Sequence, residues 1–213
     1  VVEQSQATSE SFALLTRPNS PITSPRDLIG KKVAIHENGS IFELLLKATL
    51  RDNDVDPGAV NLLPIKVSDA PTALETGQVD AAVMNEPFVT LAEQKFGAVP
   101  AFKIVDGSTK DMPVGGFIGL TSFVQANPKT VAAFQRAMIR GQIDMTNRDL
   151  VADVVPDLTG LPRDIVYLLN MDESPTSVDT NRLQRVLNLM TTYGGFTKQV
   201  NVSSLVVPTP PAA

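Results

Sequence analysis

The stretch Ala73–Phe88, reading ALETGQVDAAVMNEPF, decides the fold class. It compresses a helix end, a glycine stop, a buried strand and a helix start into one unit. Gly77 stands where a helix C-terminus favours φ > 0, and Ala81–Met84 is an apolar run of strand length. Pro87 suits the first turn of a following helix, where its missing N–H would have no partner anyway. Asn85 and Glu86 then fall at the carboxyl end of the strand, where open α/β sheets place their ligand crevice. A binding site is therefore expected here. Asn85 offers an uncharged amide that donates and accepts. Glu86 is read either as an acceptor for a ligand amine or a cross-cleft hydrogen bond, or as plain helix-dipole stabilisation worth about 0.3–1 kcal/mol. Asp80 is read as a loop-positioning residue.

Upstream, SPITSPRDLIGKKVAIHENGS from Ser20 to Ser40 supplies a matching unit. Ser24, Pro25 and Asp27 form an S-x-x-D start for one helical turn, Gly30 stops it, and Lys32–Ile35 reads as a strand. Asn38, Gly39 and Ser40 turn the chain into a helix from Ile41 to about Arg51, with Ser40 and Glu43 spaced as a capping box. The N–H groups of Gly39, Ser40 and Ile41 are candidates for holding an anion at that helix start. Capping alone also explains Ser40 and Glu43, and the two readings are compatible only if N–H groups stay free. His36, the sole histidine, has no partner visible in sequence and is a candidate for ligand contact rather than for catalysis.

Strand and helix signals alternate from Leu28 to Val105, with strands expected at Lys32–Ile35, Asn61–Val67, Ala81–Met84 and Ala101–Val105. This argues a mostly parallel sheet with helices on its faces. Asp106–Gly116 is polar and Gly-rich, as expected of a crossing between domains, and Gly116 is a candidate for close backbone approach to a ligand. Beyond it one strand is expected at Phe117–Phe123. Helical segments follow near Pro128–Met145, Leu150–Val155, Pro162–Leu169 and Val178–Tyr193. The stripe Val131, Phe134 and Met138 on the longest of these needs a surface to receive it.

These segments together resemble the periplasmic solute-binding proteins of the sulfonate, taurine and nitrate uptake type, the NMT1/THI5-like family. The resemblance rests on S-P-I-x-S-x-x-D-L-x-G-K-K-V-A, then G-S before a helix, then A-L-x-x-G-x-V-D-A and E-P. It continues in FVQANPKT from Phe123 to Thr130 and LQRVLNLMTTYGGF from Leu183 to Phe196, and so runs from about Phe12 to Val206. It implies an α/β fold of the type II periplasmic-binding-protein kind: two α/β lobes joined by a two-segment hinge near Arg17–Ser20 and Thr109–Gly116. Residues 24–108 would form a complete second lobe. Residues 1–19 and 113–206 would form part of the first, whose initial sheet would precede this chain, and 207–213 would be a Pro-rich tail.

The implied function is the extracytoplasmic receptor of an ABC importer, periplasmic or at the cell surface. It would take a small, anionic solute in the interlobe cleft and pass it to a membrane permease. Membrane attachment would come only through that permease or a lipid anchor outside this chain. A ligand-sensing module of a signalling protein is one alternative, and an enzyme like the thiamine-pyrimidine synthases is another. That enzyme branch uses a Cys-rich iron site, and this chain has no cysteine.

Composition points the same way. A net charge of −5 gives no basic field for nucleic acid, and with one histidine and no cysteine no protein-built zinc site is expected. No cofactor or metal is expected, and no apolar run approaches the roughly 18–20 residues that span a bilayer. No G-x-S-x-G, H-E-x-x-H, Walker A or G-x-G-x-x-G pattern occurs, so no catalytic residue is expected.

Overall fold

The computed structural model describes residues 3–193, 197–198 and 200–209. Its strands are β1 (Glu3–Gln6), β2 (Phe12–Thr16), β3 (Lys32–Ile35), β4 (Asn61–Pro64), β5 (Ala81–Asn85), β6 (Val99–Phe102) and β7 (Pro113–Phe117). Among the helices, α1 (Ile41–Asp52), α2 (Ala70–Glu75) and α3 (Phe88–Phe96) alternate with the strands. After β7 come α4 (Thr121–Ala126), α5 (Pro128–Asp144), α6 (Arg148–Thr159), α7 (Arg163–Leu168) and α8 (Thr180–Thr192).

The main sheet has five strands in the order β4-β3-β5-β2-β6. β3 runs parallel to β4 and β5, whereas β2 is antiparallel to both β5 and β6. Alternating side chains feed two cores, as the period of two in a strand requires. Val33, Ile35, Phe12, Leu14, Ala81 and Val83 point to the α1 face, where Leu45, Leu46 and Leu50 meet them. Ala34, Ala13, Leu15, Ala82 and Met84 point to the opposite face, under Ala73 and Leu74 of α2 and Val89 and Ala92 of α3. The outer strands β4 and β6 carry Pro64 and Pro100, which a central strand could not accommodate.

Local signals hold the turns. Gly77 has φ +78° just past α2, and the Arg17 guanidinium donates to the carbonyls of Leu74 and Val79 at 2.8 and 2.9 Å. The guanidinium thus joins the last turn of α2 to the segment that follows it, adding a charged donor to the Leu74 carbonyl, which also accepts the Gly77 N–H at 3.2 Å. Asp80, read from sequence as a loop-positioning residue, accepts the Lys32 N–H at 2.9 Å at the start of β3.

Several boundaries differ from those expected. Residues 1–19 were assigned to the partial first lobe, yet Phe12–Thr16 is buried at all five positions and lies inside the main sheet between β5 and β6. A strand with both faces apolar is stable only between two covered layers. Residues 12–16 therefore belong to the same sheet as the strands of 24–108, and just before them the Ala7 N–H donates to the Met112 carbonyl at 3.0 Å. The sheet is mixed, not mostly parallel, because of this inserted strand. The expected strand Phe117–Phe123 is the end of β7 followed by α4.

β1 and β7 form a separate antiparallel ribbon, to which Glu173 adds through paired backbone hydrogen bonds with Gln6 at 2.9 Å each. α6 and α7 enclose a small core of Val151, Ala152 and Val166. On α5, Val131 is buried, Met138 is half-buried and Phe134 meets Phe117 edge-on at 5.2 Å, so the stripe is covered at its first position and partly open beyond it. α8 lays Val186, Leu189 and Met190 against the core beside α1, although 113–206 was assigned as a whole to the other lobe. Of the expected closing helix, residues 194–196 lie outside the described residues, as do residues 210–213 of the expected tail.

Candidate functional site

β2 begins where β5 ends, because the two run antiparallel with Phe12 opposite Asn85. The Glu86 N–H extends that ladder by donating to the Ser11 carbonyl at 3.0 Å. Ser11, Phe12, Asn85 and Glu86 thereby share one end of the sheet. The segment that leaves α7 faces them, held in place by the pairing of Glu173 with Gln6. Between the two lies a cleft of about 550 Å³, walled by Phe12, Phe88, Leu91, Leu161 and Met171 and carrying Asn85, Glu86, Asn170 and Asp172. That volume falls within the range of small-molecule sites.

Glu86 ties the two sides together. Its Oε1 accepts from the Thr90 hydroxyl at 2.8 Å, the Asn170 N–H at 2.9 Å and Asn170 Nδ2 at 3.2 Å, while Oε2 accepts the Thr90 N–H at 3.1 Å. The carboxylate thus bonds both to the first turn of α3 and, through Asn170, to the segment that leaves α7. The Asn85 Oδ1 and Asp172 Oδ1 atoms are buried without a hydrogen-bond partner. Burial pushes the Asp172 carboxyl above the usual carboxylate range; the Ser11 hydroxyl draws it part of the way back and the Glu86 charge raises it further. Burial, and then Glu86, raise Glu93 as well.

Other residues chosen from sequence sit elsewhere. The Gly39 N–H donates to Glu43 Oε2 at 2.5 Å and the Ser40 N–H to the Glu37 carbonyl at 3.3 Å. The Ser40 hydroxyl also donates to that carbonyl, at 2.6 Å, and accepts the Glu43 N–H at 3.4 Å. Two of the three N–H groups proposed to grip an anion are therefore consumed by the helix cap itself. Gly39, Ser40 and Ile41 line a smaller hollow of about 210 Å³ with Pro113, Met190 and Tyr193, separate from the cleft. Asn38 is exposed.

His36 does not line the cleft. Its ring is tilted against Phe42 at 5.7 Å, and Phe42 packs at 5.5 Å on Phe12, so the imidazole stands behind the cleft wall with Nδ1 buried and unpartnered. Gly116 pairs with Gln4 in the ribbon and borders a hollow that shares Ser5, Met145 and Ser174 with the cleft. Ser11, Asn170 and Asp172 were not singled out from sequence. They lie in loops without a recognisable motif, and only the pairing of strands far apart in sequence assembles them.

The NMT1/THI5 like family matches residues 5–149. The chain belongs to that family. A Bacillus subtilis relative named "Putative aliphatic sulfonates-binding protein" is 29% identical over 164 residues, covering 76% of this chain and 48% of its own. The chain thus spans about half the length of that curated relative. Among solved structures, the periplasmic aliphatic sulphonate binding protein SsuA from Escherichia coli superposes with a TM-score of 0.71 at 20% identity, over 94% of this chain and 70% of that one. The desulfurization enzyme DSZB superposes with a TM-score of 0.67 at 16% identity, over 97% and 74%. The fold is the α/β architecture of periplasmic binding proteins, shared by binding proteins and at least one enzyme. Among the described residues, no helix is long and apolar enough to cross a membrane.

Proposed function

We propose that this NMT1/THI5-like chain acts as the solute-binding component of an ABC importer outside the cytoplasm, holding a small organic molecule in the cleft between β5 and the α7–α8 segment. The observation that carries this reading is the cleft itself. It lies at the carboxyl end of β5, has apolar walls, and contains two buried oxygen acceptors without partners. Such acceptors are costly to leave unmet, by about 1–3 kcal/mol each, and a ligand's N–H or O–H groups would meet them. The Glu86–Asn170 link spans the two sides, where closure around a solute would be felt.

Relatives that bear aliphatic-sulfonate-binding names support a small organic sulfonate as the solute, and a membrane permease is the partner that an importer role requires. The enzyme alternative has less support from the site. The cleft lining carries serine, asparagine and carboxylate side chains, and no histidine or lysine stands beside a serine there to activate it. Native mass spectrometry of the gently purified protein tests the binding role. A small-molecule adduct, lost on denaturation and absent from an Asn85→Leu, Asp172→Leu double variant, is the expected result. A retained molecule that persists in the folded double variant would contradict a site in this cleft.

A further inference from the structure

We propose that Asn38 is a deamidation site that the Glu43 carboxylate holds shut. Asn38 is the one asparagine of the chain followed by glycine; every other precedes a residue with a side chain. It is exposed in the turn from Glu37 to Ser40, which the Ser40 N–H closes on the Glu37 carbonyl at 3.3 Å. Its own side chain bonds to nothing among the described residues. Gly39 follows at φ +77° with no atom within 4 Å of where a Cβ would stand. An uncrowded backbone nitrogen therefore sits next to a free carboxamide. That nitrogen is restrained at its proton, since the Gly39 N–H donates to Glu43 Oε2 at 2.5 Å.

Deamidation needs that proton gone. The Gly39 nitrogen, its proton lost to solvent base, attacks Asn38 Cγ; the new C–N bond closes a cyclic imide, the Cγ–Nδ2 bond breaks, and Nδ2 leaves as ammonia with a proton from water. A water molecule then opens the imide at either of its backbone-derived C–N bonds, leaving aspartate from one and isoaspartate from the other. No oxidant or reductant takes part. Glu43 opposes the first step twice. Its Oε2 holds the proton that must leave, and its negative charge disfavours an amide anion beside it. Burial works against that charge, yet the Lys47 ammonium at 2.7 Å and the Gly39 N–H keep the Glu43 carboxyl below its usual range, so it is an anion at neutral pH. The bond that completes the cap of α1 thus also protects Asn38. Isoaspartate, once formed, adds a carbon to the main chain inside the turn that sets Ser40 as that cap, and Phe42 in the first turn of α1 packs at 5.5 Å on Phe12 of the cleft wall. Damage at Asn38 is therefore carried to the frame of the cleft.

The test is incubation of the full chain at mildly alkaline pH, below the melting temperature of every variant, followed by peptide mass mapping and enzymatic methylation of isoaspartate. Glu43→Ala should convert Asn38 roughly tenfold or more faster than the parent, with residue 38 the first asparagine to change. Glu43→Gln keeps an oxygen acceptor without the charge. It should fall between the two, and its acceleration over the parent stands in for Glu43→Ala if that variant does not fold. Ser40→Ala loosens the same helix start yet leaves the Glu43 carboxylate within reach of Gly39, so it should accelerate the reaction much less. Conversion in the Glu43 variants no faster than in the parent, or another asparagine changing first, overturns the proposal. So does equal acceleration in Ser40→Ala and Glu43→Ala, which assigns the effect to general fraying of α1.

Discussion

Glu86 and Asn170, 84 residues apart in sequence, are joined at a single carboxylate oxygen that accepts both the backbone N–H and the side-chain amide of Asn170. The same carboxylate accepts the Thr90 N–H and hydroxyl in the first turn of α3. One side chain thus serves as a helix cap on one side of the cleft and a latch to the other. Glu86→Ala leaves these donors without their acceptor and should lower stability by about 1–3 kcal/mol in urea denaturation. Glu86→Gln retains an amide oxygen and should lose less. The specific readout is hydrogen exchange at the Asn170 amide, which should speed up in the alanine variant more than amides within β5 do. Equal acceleration at both would mean general destabilisation rather than loss of a latch.

Asp172 should behave oppositely. Burial raises its carboxyl in the folded chain, so the fold binds that proton more tightly than the unfolded chain does. Stability therefore falls as pH rises from the ordinary carboxylate range through the raised folded value, and the penalty is constant above it. In the unliganded protein, Asp172→Asn should raise Tm at neutral pH. The advantage should shrink as pH is lowered through that window and vanish below it. Thermal melts of both proteins across the acidic range check this, and a variant less stable than the parent at neutral pH would contradict it.

The start of α1 is a structural cap. Ser40→Ala should cost about 0.5–2 kcal/mol, since it removes the acceptor of the Glu43 N–H. Gly39 has φ +77° with open space around the position of a Cβ, so Gly39→Ala is strained by backbone conformation alone, by roughly 1–2 kcal/mol. Neither change should alter solute affinity when measured well below the lowered Tm. A tenfold loss of affinity in folded Ser40→Ala would return the anion grip to this helix start.

Arg17 closes the end of α2 from a neighbouring loop. Arg17→Ala removes a charged donor from two carbonyls, and hydrogen bonds to charged groups contribute about 1.5–3 kcal/mol each. The expected loss is of that order, visible as a lower urea midpoint, with faster exchange at Gln78 and Val79, whose N–H groups bond to the Ala73 carbonyl in the same turn. A midpoint within error of the parent would show that water replaces the guanidinium without cost.

What could be read from sequence here was local. The cap at Ser40 and Glu43, the glycine stop at Gly77, the buried run Ala81–Met84 and the placement of Asn85 and Glu86 at a strand end all follow from residue types at fixed short spacings. The position of Phe12–Thr16 does not. Its five residues mark a strand, but nothing in them says that its partners are β5 and β6, because pairing is a non-local choice made by the packing of both faces. Asp172 and Asn170 were hidden for the same reason, since their loop is held at the cleft by the bridge between Gln6 and Glu173 and by the bonds of Asn170 to Glu86. The sequence left the start of α1 open to two readings because a capping box and an anion site present the same residues. Only the hydrogen bonds of Gly39 and Ser40 separate the two.

The most direct test of a solute site in the β5 cleft is hydrogen exchange of the full chain with and without the molecule retained in native mass spectrometry. The account predicts slower exchange at Asn85, Glu86 and the 169–174 segment when the solute is present, with the 39–43 helix start unchanged. Protection confined to residues 39–43, with 85–86 and 169–174 unaffected, would contradict it.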